Sequence, residues 1–293
     1  EFPVGAVTVK HFEMQVDESQ PHVTKRLETR LMIKDIAGQF YGLTYKWRDD
    51  QTEADLLGVG RYDTVGIQTP QGLKEVHWYY PDQQECMVCH NGGSKWVLGP
   101  KTRQLNGDIT YFQTGRQSNQ LKTLAKIQAF DQVPDTNNLG NYLVSANQDD
   151  AGASLELRAR SYLDANCAYC HRAGNSIQAN FDARLSKQLG DQGLVYGFLH
   201  SQFGLYDPRV IVPGDPEHSI LYQRIKAVHD PMAMPPLAKN KIDEEGVNLI
   251  YDWIMSMDPA SGVGTAAGAI VGDFQADFQG SAAPPNWEYL WNS

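Results

Sequence analysis

The sequence has no uninterrupted run of about 18 apolar residues, so it predicts no membrane-spanning helix. It does not open with a basic segment followed by an apolar stretch, and any export signal is therefore expected to have been removed. Basic residues are in deficit. The 35 acidic and 25 basic side chains give a formal net charge of −10. That balance argues against nucleic acid and anionic membrane as partners, and suits a protein partner with a basic docking patch. Cysteine is scarce as well, with four among 293 residues. All four fall in two short motifs, which leaves none for a disulfide and no spare thiol.

Those motifs are Cys86-Met87-Val88-Cys89-His90 and Cys167-Ala168-Tyr169-Cys170-His171. Two cysteines bracketing two residues, with histidine next, is the attachment pattern of covalent haem c. The thiols Cys86, Cys89, Cys167 and Cys170 become thioethers, and His90 and His171 each reach one face of an iron. A zinc ribbon would pair its CxxC units about 15–20 residues apart, and the second motif here follows the first by about 80. A thioredoxin-like dithiol needs a βαβ context and no histidine after each pair. The reading is two covalently bound haem c groups, which implies a periplasmic or extracellular protein because this maturation occurs outside the cytoplasm.

The organisation is mixed. Residues 1–150 are read as a β-rich segment leading into a first haem-bearing helical part. Short strands are predicted at residues 30–34, 40–47, 61–67 and 76–80, each bounded by Gly, Pro or Asp. Pro81 suits the first turn of a helix carrying the first motif. Ser118 is the expected N-cap of a helix burying Leu121, Leu124, Ala125 and Phe130. Residues 151–260 are read as a mainly α domain. Ser154 caps a helix running into Cys167, Asp215 and Pro216 open a second, and Asp243 caps a third with Val247, Ile250, Tyr251 and Ile254 on one face. Residues 261–293 form a Gly/Ala linker and a tail whose Trp287, Tyr289, Leu290 and Trp291 are expected to dock.

Helix, haem motif, loop, helix, methionine loop, helix is the order of a small cytochrome. Residues 158–171, 212–222, 234–237 and 243–254 resemble single-haem cytochrome c, in which methionine before proline ligates the iron. The chain from about residue 27 to residue 258 resembles two-haem bacterial c-type cytochromes with an aromatic, strand-rich N-terminal half and a Val97-Leu98-Gly99 stretch after the first motif. Related modules belong to carbohydrate-degrading redox proteins. The resemblance implies electron transfer to a redox partner such as a copper-dependent polysaccharide monooxygenase.

On the second iron, Met234 is preferred over Met232 as the ligand opposite His171, because Pro235 and Pro236 stiffen the chain behind it. Thioether ligation raises the reduction potential relative to two imidazoles. The bland alternative is that both methionines fill core space. The first iron has no such partner downstream, since neither His nor Met occurs between Asn91 and Cys170. Its sixth ligand is left open among His77, Met32, Met14, His22, His11, Lys95, Lys101 and none. Arg209 and Arg224 are candidates for haem propionates, and His229 for a supporting contact; His200 and His218 are read as ordinary core or surface residues. Two functions follow. The preferred one is an electron carrier without catalytic residues. The other is a dihaem peroxidase with an open first haem. A carbohydrate-binding role for the aromatic N-terminal half is a third.

Overall fold

A computed structural model describes residues 2–175, 181–201 and 203–262. The N-terminal part is an antiparallel meander of β1 (Val7–Gln15), β2 (Thr24–Lys34), β3 (Phe40–Trp47) and β4 (Ala54–Leu56), hydrogen-bonded in that order. Asp35 makes the turn between β2 and β3 by accepting the Ala37 and Gln39 N–H groups, and Gly38 supplies the positive φ of 79°. A separate hairpin joins β5 (Arg61–Thr69) to β6 (Gly72–Tyr80). It packs on β2 through Leu27, Val65 and Tyr80, a small cluster. Glu28 is fully buried there, held by Arg30 and by the Trp78 indole at 3.0 Å.

Strand β6 runs directly into α1 (Gln83–Cys89), the helix of the first motif. Asp82 caps it in a reciprocal box with Glu85, so the helix begins at Gln83, two residues later than Pro81 suggests. None of the seven residues of α1 is buried. What holds the helix is a close approach: a Cβ on Gly42 of β3 would sit 2.6 Å from the Cys86 Cβ. Beyond it lie α2 (Thr102–Leu105), a hairpin of β7 (Asp108–Tyr111) and β8 (Arg116–Asn119), and α3 (Gln120–Lys126). Asn119 caps α3, since Ser118 is the last but one residue of β8.

The remaining helices are α4 (Leu155–Asn166), α5 (Ile220–Lys226) and α6 (Glu244–Ser256). Ser154 and Asp243 cap α4 and α6 through the Leu157 and Gly246 N–H groups. The main core lies between these helices, with Leu163, Leu194, Ile211, Ile250 and Ile254 fully buried. Each such side chain contributes about 2 kcal/mol of transfer free energy.

A mainly α C-terminal domain is corrected by this architecture. Among the described residues the structure is mixed, with 23% helix, 25% strand, antiparallel sheets and six α-helices. Residues 181–201, 203–219 and 227–242 run through turns and isolated bridges such as Val195–Ile211, with one short 3-10 turn at Leu189–Asp191 and no α-helix. Asp215 does not open α5. Its carboxylate accepts the His218 N–H and ring, and the helix starts at Ile220 after Ser219. Tyr251 faces outward, away from the buried stripe of α6. The tail expected to dock lies outside the described residues.

Gly42→Ala tests the seat of α1. The added methyl meets Cys86 in a strand whose φ any residue tolerates, so the loss is steric and amounts to about 1–3 kcal/mol. A urea titration of wild type and variant measures it.

Candidate cofactor site

The two motifs, far apart in sequence, meet in the fold. The Cys89 and Cys170 thiols are near enough to shift each other's ionisation. Just beyond each histidine the turns also touch: a Cβ on Gly93 would sit 2.7 Å from Asn175 Oδ1 and 3.2 Å from its Cα. Asn175 is fixed in turn, donating to the Tyr169 carbonyl at 3.0 Å. The proximity of Cys89 and Cys170 separates their pKa values. Cys170 pulls Cys89 down to about 7 and is itself pushed far up. Burial raises Cys86, and raises Cys167 to about 12. No disulfide joins any of the four cysteines.

His90 closes α1, and its Nδ1 lies 2.6 Å from the Trp96 carbonyl. That hydrogen bond fixes the tautomer and leaves Nε2 for a metal, the arrangement that metal-ligating histidines use. Two consecutive left-handed residues, Lys95 and Trp96, turn the carbonyl back toward the ring, and the Trp96 indole stacks on Phe40 at 5.5 Å. Burial pushes the His90 pKa down. His171 follows α4 and stacks on Phe181 at 4.1 Å. Its Nδ1 is buried without a hydrogen-bond partner. Burial and the nearby Arg224 lower its pKa to about 4, so the imidazole is neutral at pH 7 and able to donate a lone pair.

Among the described residues no group of three or more His, Cys, Asp or Glu side chains could hold a bare metal ion. A haem iron asks for less, because the macrocycle supplies four of its ligands. One pinned imidazole, one orphaned imidazole nitrogen and two paired thiol sets fit that group.

The other candidates are spread out. Met32 is buried in β2 opposite Gly42, with its Cε 3.6 Å from the Gly42 Cβ position that abuts Cys86. His77 is elsewhere: it sits on the exposed face of β6, with Nδ1 3.2 Å from Thr64 Oγ1 and its ring 6.3 Å from His229. His11 bonds Thr29, and Met14 packs under the β5–β6 hairpin. His22 and Lys95 are exposed. The Lys101 ammonium is engaged by Asp164 at 3.0 Å. Met234 is half-buried, its N–H donating to the Arg224 carbonyl at 3.0 Å, while Arg224 Nε donates to the Met232 carbonyl at 2.7 Å. Arg209 pairs with Asp207. No carboxylate of the described residues pairs with Arg224, whose pKa burial lowers. Asn240, which sequence reasoning passed over, bonds both the N–H and the carbonyl of Tyr79, at 2.8 and 3.3 Å, and ties β6 to the segment after the methionine loop.

Asp164 gives no signal in the sequence either, and it is the most heavily bonded acid near the site. Fully buried, it accepts from Lys101, from both arms of Arg103 and from the Leu185 N–H.

No protein-family model, curated protein or solved structure matches the chain. The chemistry of the site therefore rests on its own residues.

Burial pushes the Asp164 pKa up, but Arg103, the Leu185 N–H and Lys101 outweigh it and hold the carboxyl below its ordinary value. A depressed folded pKa contributes stability that is full above about pH 4 and disappears as pH falls through the folded value. Asp164→Ala should cost about 2 kcal/mol at pH 7, the loss of charge-assisted hydrogen bonds whose cationic partners stay partly open to water. The gap from wild type should close on acidification, as read from urea midpoints at pH 7 and below pH 3.

Proposed function

We propose that the chain is a two-haem c-type electron carrier, with haem bound through Cys86 and Cys89 and through Cys167 and Cys170. The observation that supports this most is the meeting of two CxxCH motifs from distant parts of the chain, each ending in a buried or half-buried imidazole with a ring nitrogen left to another group. Bound haem supplies a reversible one-electron iron couple. The chain's own residues do the rest. His90 and His171 are the proximal ligands. Trp96 orients His90 through its carbonyl, as such outer partners do for metal-bound imidazoles.

Met234 is proposed as the ligand opposite His171. In support, Arg224 bonds both ends of the short methionine loop, fixing Met232 and Met234 close to the element that faces His171. Arg224, which pairs with no carboxylate of the described residues, is suited to a propionate. Met32 is proposed to close the first iron. Of the ligands left open in the sequence, it is the sulfur that β2 and β3 bring beside Cys86. Closing both irons with sulfur favours transfer over turnover, since no coordination position is left for peroxide.

An exported location, periplasmic or extracellular, follows from the same reading. So does a redox protein partner with a basic patch, given the net charge of −10. A copper-dependent polysaccharide monooxygenase as acceptor rests on the sequence resemblance alone. The division at residues 150 and 260 belongs to the same proposal. No helix among the described residues is long and apolar enough to cross a membrane.

Carbon monoxide added to the fully reduced, haem-loaded protein tests the carrier reading. The Soret band should not shift in wild type and should shift at one haem in Met32→Ala. In the ferric protein, Met234→Ala should remove the weak charge-transfer band of an iron–thioether bond, and Met232→Ala should keep it. A rapid shift in wild type together with peroxide turnover would overturn the carrier and favour a peroxidase.

A further inference from the structure

We infer that the two attachment motifs form one electronically coupled unit, and that Asp164 and Gly93 are the positioning residues that set their spacing. The inference rests on the two-haem reading and adds to it how the halves are held. Three features carry it. The first is the junction itself: the turn after His90 meets the turn after His171 at Gly93 and Asn175. Gly93 has no positive φ, so its role is spatial. A Cβ placed there would stand 2.7 Å from the Asn175 Oδ1 and 3.2 Å from its Cα, so the Asn175 side chain and the chain behind it pack directly on the Gly93 backbone.

The second feature is the ion pair. Lys101 and Arg103 follow the first motif, while Asp164 lies one turn of helix before Cys167. The carboxylate therefore joins the segment leaving one motif to the helix entering the other. Both arms of Arg103 reach Asp164, a two-point geometry that fixes orientation as well as distance. The Lys101 ammonium also donates to the Asp164 main-chain carbonyl.

The third is that Asp164 is fully buried. A buried charge of this kind gives little net stability against an apolar substitute, and its best-attested use is to specify register. Lys101 and Arg103 are partly exposed, each with 20% of the side chain open, so they are free to pair elsewhere if the acid is removed. The register, not the fold of either half, is what the ion pair controls.

Circular dichroism across the Soret band reads the coupling independently of activity. Two haems held close and in fixed orientation give a bisignate couplet; two distant ones give a simple sum. Wild type carrying two haems should show the couplet. Gly93→Ala, which wedges the turns apart, should reduce it, because the couplet depends on the separation and mutual orientation of the two chromophores. Asp164→Ala should do the same. Lys101→Arg keeps the charge and should retain wild-type amplitude, where Lys101→Met should not. Each variant is compared at two haems per chain by denatured mass and with unchanged iron–ligand bands, which a general loss of structure would alter. If Asp164→Ala fails to fold, Gly93→Ala and Lys101→Met decide the matter. An undiminished couplet in those variants, or no couplet in a wild type that carries two haems, would overturn the inference. Absence of haem from wild type would instead remove the functional reading on which it stands.

Discussion

The buried carboxylate of Asp164 is the constraint on which the arrangement of the site depends. It belongs to the helix that delivers Cys167, yet its partners Lys101 and Arg103 come from the segment that leaves the first motif. An isolated buried carboxylate is not tolerated, because its desolvation cost is several kcal/mol. The chain therefore folds with those cations in place, or leaves the acid exposed and the helix undocked. Asn240 makes the second tie, acting toward Tyr79 as a neighbouring strand would, with one donor and one acceptor. Together these polar contacts fix the two halves where apolar packing between them is sparse.

The halves differ in how they are built. Around α4, α5 and α6 a continuous core buries large aliphatic side chains. The sheet half has a small apolar cluster of Leu27, Val65 and Tyr80, supplemented by the buried Glu28–Arg30 pair. Helix α1 has no buried residue of its own and depends on caps, on the Tyr79 hydroxyl bonded to Glu85, and on the absence of a side chain at Gly42. The first motif is thus held by geometry at its edges, the second by a core at its back. A covalently attached macrocycle would contribute apolar surface where the first half has least.

Local signals were legible in the sequence. Ser154 and Asp243 cap their helices because a short oxygen-bearing side chain before a helical stretch satisfies orphan N–H groups whatever the rest of the chain does. The four expected strands lie within β2, β3, β5 and β6. What failed was non-local or competitive. Asp215 and Ser118 look like caps, but one is consumed by His218 and the other is absorbed into β8. In β1 the apolar residues alternate as Val7 and Val9 and then, out of phase, as Phe12 and Met14, and this phase change near the bulge at Phe12 and Glu13 hides the strand. The mainly α reading gave too much weight to helix signals separated by Gly- and Pro-rich segments that settle as turns. His77 is among the ligands left open for the first iron, yet strand alternation turns Trp78 and Tyr80 inward and leaves His77 outside. The pairing of residues 101 and 103 with residue 164 leaves no trace in local pattern, and the meeting of the motifs follows from it.

The central claim is that both motifs carry covalent haem, and intact mass tests it most directly. Protein matured in a host that attaches haem c, then denatured to release anything held without a bond, should exceed the polypeptide mass by two haems. Replacing Cys86 and Cys89 with Ser should remove one increment, and replacing Cys167 and Cys170 should remove the other. A mass equal to the bare polypeptide, or one unchanged by either pair of substitutions, would contradict the account.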